Sequence, residues 1–288
     1  MSDPSNETAR RPSRFSQVLL RVIASIVFIP CLYIITKAGG YYFLALMDIV
    51  IIIGIWEFYG IMEWKGIRPY KGIGILCGLV LSWYFYIRSG MYANLFLTLA
   101  LIGIMGLELT RRNNKTAIYH ISTTILGVVY VAFLGSHLVL LREFPISAGL
   151  DYNLGSSLVF LVFLVTWSGD TLAYSLGMSI GRHPLLPRIS EKKTVEGSAG
   201  GVAGSLLGGV IAKYTFAPFL ELWQALMIGA IASLMGQLGD LVESMIKRDA
   251  AIKDTSATIP GHGGVLDRFD SLLFTAPLLY YFLKFVVF

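Results

Sequence analysis

The sequence predicts an all-α polytopic membrane protein of about nine transmembrane helices, with the N-terminus cytoplasmic and the C-terminus extracytoplasmic. Three observations predict it. Apolar runs of about 20 residues, the length that crosses a bilayer, recur along the whole chain. Hydrophobic residues make up 55% of the 288 and the mean hydropathy is +0.68, beyond what a soluble core requires. Lys and Arg segregate to alternate connections between the runs.

Residues 1–16, rich in Ser, Pro, Asn and Arg, read as a disordered cytoplasmic tail. The first apolar run is long enough to span and no A-x-A-like site follows it, so it reads as a retained helix rather than a signal peptide. The nine candidate spans are 17–37, 41–62, 72–88, 92–108, 117–141, 155–181, 199–217, 220–247 and 268–288. Five form an N-terminal bundle over 17–150 and four a C-terminal region over 151–288. Of the 23 Lys and Arg, 18 fall on the side of the N-terminus and four on the other, with Lys213 inside a span, which puts the 18 in the cytoplasm. Tyr41, Tyr42, Trp64 and Trp223 near span ends read as interfacial anchors. The net charge of +5 follows from this topology and suits anionic headgroups, which argues against nucleic acid as a partner. Cys31 and Cys77 lie in separate runs without metal-ligand spacing and read as packing residues.

One polar stretch stands out between the last two spans. Asp240–Asp270 packs six carboxylates, four Lys or Arg and one His into a chain that is 14% charged. On a helix Asp240, Glu243, Ser244 and Lys247 share one face. Pro260-Gly261-His262-Gly263-Gly264 cannot continue that helix, and its glycines allow backbone N–H groups to turn toward an anion. Asp267 and Asp270, with Arg268 between them, follow the loop. Hard cations take carboxylate and phosphate oxygens, so Asp240 and Asp267 suffice for a Mg²⁺ site, with Lys and Arg left to hold phosphate.

Upstream, Asp170 in the sixth span is a functional candidate because an unpaired carboxylate is costly at membrane depth. Asp48, Glu57 and Glu108 invite the same argument but have no motif beside them and read as structural. In the connection after the sixth span, Lys192, Lys193 and Thr194 offer two point charges and a hydroxyl to phosphate. In the seventh span Gly197, Gly201, Ser205 and Gly209, and likewise Gly200, Gly204 and Gly208, recur every fourth residue and read as ridges for close helix packing.

The pattern Ser244-x-x-Lys247-Arg248-x4-Lys253-Asp254-x4-Ile259-Pro260-Gly261-His262-Gly263-Gly264-x-x-Asp267-Arg268-x-Asp270 closely resembles the signature of the phosphatidate cytidylyltransferases, also called CDP-diacylglycerol synthases. Ser190–Gly197 resembles the Ser-Pro-Lys-Lys-Thr-x-Glu-Gly core of the same family, with Glu191 in place of Pro. The resemblance implies a bacterial cytoplasmic-membrane enzyme facing the cytoplasm. It would form homodimers and use CTP, phosphatidate and Mg²⁺, with room for a second cation. It implies catalytic roles for Asp240, Ser244, Lys247, Asp267 and Arg268, with metal at Asp240 and Asp267. Substrate contacts would come from Asp170, Lys192, Lys193, Thr194, Arg248, Lys253, Asp254, Gly261, His262, Gly263, Gly264 and Asp270.

Two rival readings share parts of this inventory. A CTP-dependent polyprenol or dolichol kinase would need a base for an alcohol, for which His262 or Asp254 could serve. An ion-coupled secondary transporter would use Asp170 and Asp240 as ion sites but lacks an internal inverted repeat.

Overall fold

The computed structural model describes residues 26, 28–87, 90–112, 115–252, 255–256 and 263–288. The helices are α1 (Phe28–Ala38), α2 (Gly40–Trp64), α3 (Lys71–Ile87), α4 (Gly90–Glu108), α5 (Ala117–Gly127), α6 (His137–Ala148), α7 (Asn153–Ile180), α8 (Val195–Thr215), α9 (Leu222–Asp249) and α10 (Leu266–Phe282). Helices suit this composition because their backbone groups bond within the segment and need no water. Five of them are long and apolar enough to cross a membrane: α2, α7, α8, α9, and α10 with its π-helical extension to Val287. The pair α5–α6 makes a sixth if counted as one span, whereas α1, α3 and residues 94–108 of α4 are shorter apolar helices.

The fifth span, expected as one helix over 117–141, is broken. α5 runs on as a π-helical turn over Val128–Phe133, and α6 leaves at 45° to it. The break falls where the buried His137 ring bonds the Phe133 carbonyl at 2.9 Å, so that a side chain enters the backbone ladder. A second departure from the all-α expectation is an antiparallel hairpin, β1 (Pro184–Leu186) with β2 (Ser190–Thr194), inside the basic connection after α7.

One hydrophobic core runs through both halves of the chain, from Leu32 and Ile55 to Val162, Ile228 and Leu279. At the end of the bundle away from the polar stretch, the fully buried Arg142 donates to the carbonyls of Thr36, Lys37 and Tyr152, which ties the end of α1 to α6 and α7. Lys213, inside the α8 span, reaches the Leu220 carbonyl at 2.9 Å and closes the turn into α9. The start of α9 is fixed by a capping box between Glu221 and Gln224.

Both small-residue ridges of α8 pack on α7, and the one through Gly201 and Gly209 also meets α9. Gly200, Gly204 and Gly208 lie against Leu172, Ser168 and Val165 of α7, while Gly209 meets Ala225 of α9. Gly229 on α9 completes that second contact: a Cβ there would stand 2.6 Å from the Ser205 carbonyl oxygen and 2.7 Å from the Leu206 Cα. Backbone atoms cannot yield as a side chain can. Gly229→Val is therefore expected to cost about 1–3 kcal/mol or more and to lower the thermal midpoint in detergent. Gly103→Val, where no atom of the described residues lies within 4 Å of the new Cβ, should leave the midpoint nearly unchanged.

Candidate active site

The polar stretch assembles where α9 ends and α10 begins. The Lys247 ammonium sits between two carboxylates, Glu243 Oε2 at 2.5 Å one turn back on α9 and Asp267 Oδ1 at 2.8 Å in the first turn of α10. The second Asp267 oxygen accepts from the Gly264 amide at 2.8 Å, the Thr255 hydroxyl at 2.9 Å and the Thr255 amide at 3.3 Å. A carboxylate in the first helical turn is favoured by the exposed N–H groups and dipole there. Gly263 has φ of +84°, a backbone that a side chain would strain, and Gly264 is buried where a Cβ would meet the Thr255 hydroxyl and Glu57.

The β hairpin brings in the second cation. Lys193 Nζ lies 2.7 Å from Asp240 Oδ2, while Lys192, its neighbour on the strand, is exposed. Thr194 is the N-cap of α8 and accepts from the Gly197 amide at 3.1 Å, so its hydroxyl oxygen has a folding role. Glu196 accepts from the amides of Arg182 and His183 and pairs with the His183 ring, which closes the hairpin against the start of α8. Arg248, largely exposed at the end of α9, reaches the Ile189 carbonyl at 3.4 Å.

Oxygens of Asp240, Glu243 and Asp270 all lie within 4.8 Å of one another. Glu243 is buried and, among the described residues, its Oε1 has no hydrogen-bond partner, an uncompensated acceptor that a hard cation would satisfy. The chemistry of this donor set therefore fits Mg²⁺. Of the two carboxylates expected to hold the metal, Asp240 belongs to this group. Asp267 is not among these three, and its oxygens receive Lys247, Thr255 and Gly264.

Asp170 on α7 is within electrostatic reach of Asp240 and Lys193 and lines a polar crevice with Gln237, Ser233 and Ser205. Gln237 holds this crevice together through Ser198 on α8 and Ser233 on its own helix. Ser244 is partly exposed on α9, and Arg268 is exposed on α10. Lys253, Asp254, Gly261 and His262 lie outside the described residues. One residue near the site was read as merely structural. Glu57 on α2 bonds the Val265 and Leu266 amides and the Ser256 hydroxyl, and nothing in the local sequence around it signals that role.

The fold and the site define a helical membrane protein with a carboxylate- and lysine-lined centre at one end of its C-terminal helices. The chain belongs to the cytidylyltransferase family, whose profile matches residues 19–286. It is 38% identical over 283 residues to the phosphatidate cytidylyltransferase of Synechocystis, an alignment that covers 91% of this chain and 95% of that protein. Proteins of the same name from Staphylococcus haemolyticus and Staphylococcus saprophyticus are 39% and 45% identical over 55% and 52% of the chain, and over 63% and 55% of their own lengths.

Proposed function

We propose that this chain transfers the cytidylyl group of CTP to phosphatidate, giving CDP-diacylglycerol and pyrophosphate. The observation that carries this reading is the convergence of Lys247 and Asp267 from the signature, Lys193 from the hairpin, and Asp240 and Glu243 on one cluster, in a chain related to phosphatidate cytidylyltransferases along nearly its whole length.

The chemistry needs no side-chain nucleophile. A phosphate monoester has its second pKa near 6 and is mostly dianionic at neutral pH, so the lipid phosphate itself can attack the α-phosphorus of CTP. The protein has to gather two anions that repel each other, align them in line and neutralise charge on the leaving pyrophosphate. Lys193 and Lys247 supply positive charge within the cluster, and Lys192, Arg248 and Arg268 supply it around the rim, with Ser244 offering a hydroxyl. Asp240 would hold Mg²⁺ with Glu243 and Asp270, and Asp267 could join only by exchanging one of its present donors. A bound Mg²⁺ would offset the carboxylate surplus and polarise phosphate oxygens.

The natural setting is a bacterial cytoplasmic membrane, with the cluster facing the cytoplasm where CTP is found and the protein working as a homodimer. The decisive assay incubates detergent-purified protein with labelled CTP and Mg²⁺ and with phosphatidate, dolichol or no lipid. Label entering lipid only with phosphatidate, accompanied by pyrophosphate, supports the reading. Labelled phosphate on dolichol, or no transfer at all, would remove it.

In the nine-span arrangement the termini lie on opposite sides. A reporter fused after Phe288 is expected outside the cytoplasm and one placed at residue 112 inside it. Both on one side would overturn the arrangement and move the site away from CTP.

A further inference from the structure

The N-terminal helices carry none of the signature, yet one of them holds it in place. Glu57 lies two turns before the end of α2, is 3% exposed, and projects its carboxylate to the end of the signature loop. Oε2 accepts from the Leu266 amide at 2.8 Å, and Oε1 accepts from the Val265 amide at 3.1 Å and from the Ser256 hydroxyl. Val265 and Leu266 are the N-cap and first residue of α10, a helix start that receives no capping bond from its own N-cap side chain. Glu57 thus caps α10 from another helix, some 200 residues away in sequence, separations of 208 and 209 for the two amides.

The donors around this turn are divided between two carboxylates. The Gly264 amide and both Thr255 donors go to Asp267, and the next two amides go to Glu57. The fit is close, since a Cβ at Gly264 would stand 2.7 Å from Glu57 Oε2. Without the Glu57 carboxylate, two buried N–H groups would lose their acceptor beside Asp267, whose oxygens already hold the neighbouring Gly264 and Thr255 donors. Competition for those oxygens would draw Asp267 from Lys247. Eight residues on, about 12 Å by helical rise, Lys65 at the C-cap of α2 pairs with Asp249 at the other end of the loop. α2 therefore grips the polar connection where it leaves α9 and again where it enters α10.

We propose that Glu57 is a positioning residue for cytidylyl transfer: its carboxylate sets the backbone from Gly264 to Leu266 so that Asp267 faces Lys247. This rests on the reading of the Lys247–Asp267 cluster as the active site. The test purifies Glu57→Gln, Glu57→Asp and Asp267→Asn in detergent and measures kcat and CTP KM per mole of monodisperse, folded protein, with the thermal midpoint of each. Gln keeps the shape but replaces one acceptor oxygen with an NH₂ that opposes a backbone N–H. Asp keeps the charge and both acceptors on a shorter stem.

The expected order of kcat is wild type, then Glu57→Asp, then Glu57→Gln. Glu57→Gln should fall at least about tenfold per folded enzyme, with the CTP KM within about threefold of wild type. A purely structural residue would lower the midpoint and the yield yet leave kcat per folded molecule unchanged. If Glu57→Gln stays within threefold of wild type, the proposal is overturned. Should that variant fail to fold, Glu57→Asp decides by the same threefold line. Inactive Asp267→Asn beside active Glu57→Gln would remove Glu57 alone, whereas active Asp267→Asn would remove the site reading and the proposal with it.

Discussion

Asp267→Asn is expected to lower kcat/KM by at least about a hundredfold while membrane insertion and the monodisperse detergent profile stay intact. The carboxylate it replaces does two things at once. One oxygen receives the Lys247 ammonium and the other receives three donors from Thr255 and Gly264. An amide has one acceptor oxygen. Turned toward the loop, it leaves an NH₂ against Lys247; turned toward Lys247, it sets the NH₂ against the loop donors. Either way the negative charge that orients Lys247 is gone. Deleting one preorganised electrostatic group costs on the order of 3–4 kcal/mol of barrier, roughly a hundred- to a thousandfold. The measurement is kcat/KM for CTP at fixed phosphatidate, and near-normal turnover would take Asp267 out of the chemistry.

Raising Mg²⁺ separates Asp267 from Asp240. Asp240→Asn weakens the three-carboxylate group, so high Mg²⁺ should recover part of its activity by mass action. Asp267→Asn disturbs a lysine and a loop, and the same titration should recover little.

Much of this centre was legible because it is written in local periodicity. The i, i+3, i+4, i+7 spacing of Asp240, Glu243, Ser244 and Lys247 fixes a shared helix face whatever the tertiary fold, and Glu243 and Lys247 do meet on it. The fourfold spacing of glycines in α8 likewise marks two ridges, both of which pack on α7, one of them meeting α9 as well. What the sequence could not show depends on partners distant in the chain. The Ser190–Thr194 strand has no apolar alternation, since it is held by its hairpin and by Lys193 reaching Asp240 rather than by a buried face. The break between α5 and α6 coincides with a bond from His137, at the start of α6, back to the Phe133 carbonyl of the π-helical turn, which composition does not report. Glu57 looked like one more carboxylate in an apolar helix because the amides it holds lie more than 200 positions later.

Lys247→Met is expected to cost activity and stability together, and the two can be told apart. The side chain lies between Glu243 and Asp267, with 14%, 2% and 10% of the three side chains exposed. Met keeps the stem in place and removes the charge, so packing changes little. Two carboxylates then share a poorly hydrated site without their cation, and breaking a buried pair by removing one partner costs about 3–5 kcal/mol of stability. A separate loss falls on the reaction. If Lys247 neutralises phosphate charge as CTP and lipid phosphate meet, its removal should raise the barrier by about 2–4 kcal/mol, a loss of roughly thirty- to a thousandfold in kcat/KM per folded enzyme. The double variant Lys247→Met with Glu243→Gln separates the losses. Neutralising Glu243 removes the like-charge contact and should restore most of the thermal midpoint, but it supplies no positive charge to phosphate and weakens the three-carboxylate group, so turnover should stay low even at high Mg²⁺. If turnover returns with the midpoint, or if Lys247→Met alone keeps more than about a third of wild-type kcat/KM, a change under about 1 kcal/mol, Lys247 does no more than hold two acids together at the end of α9.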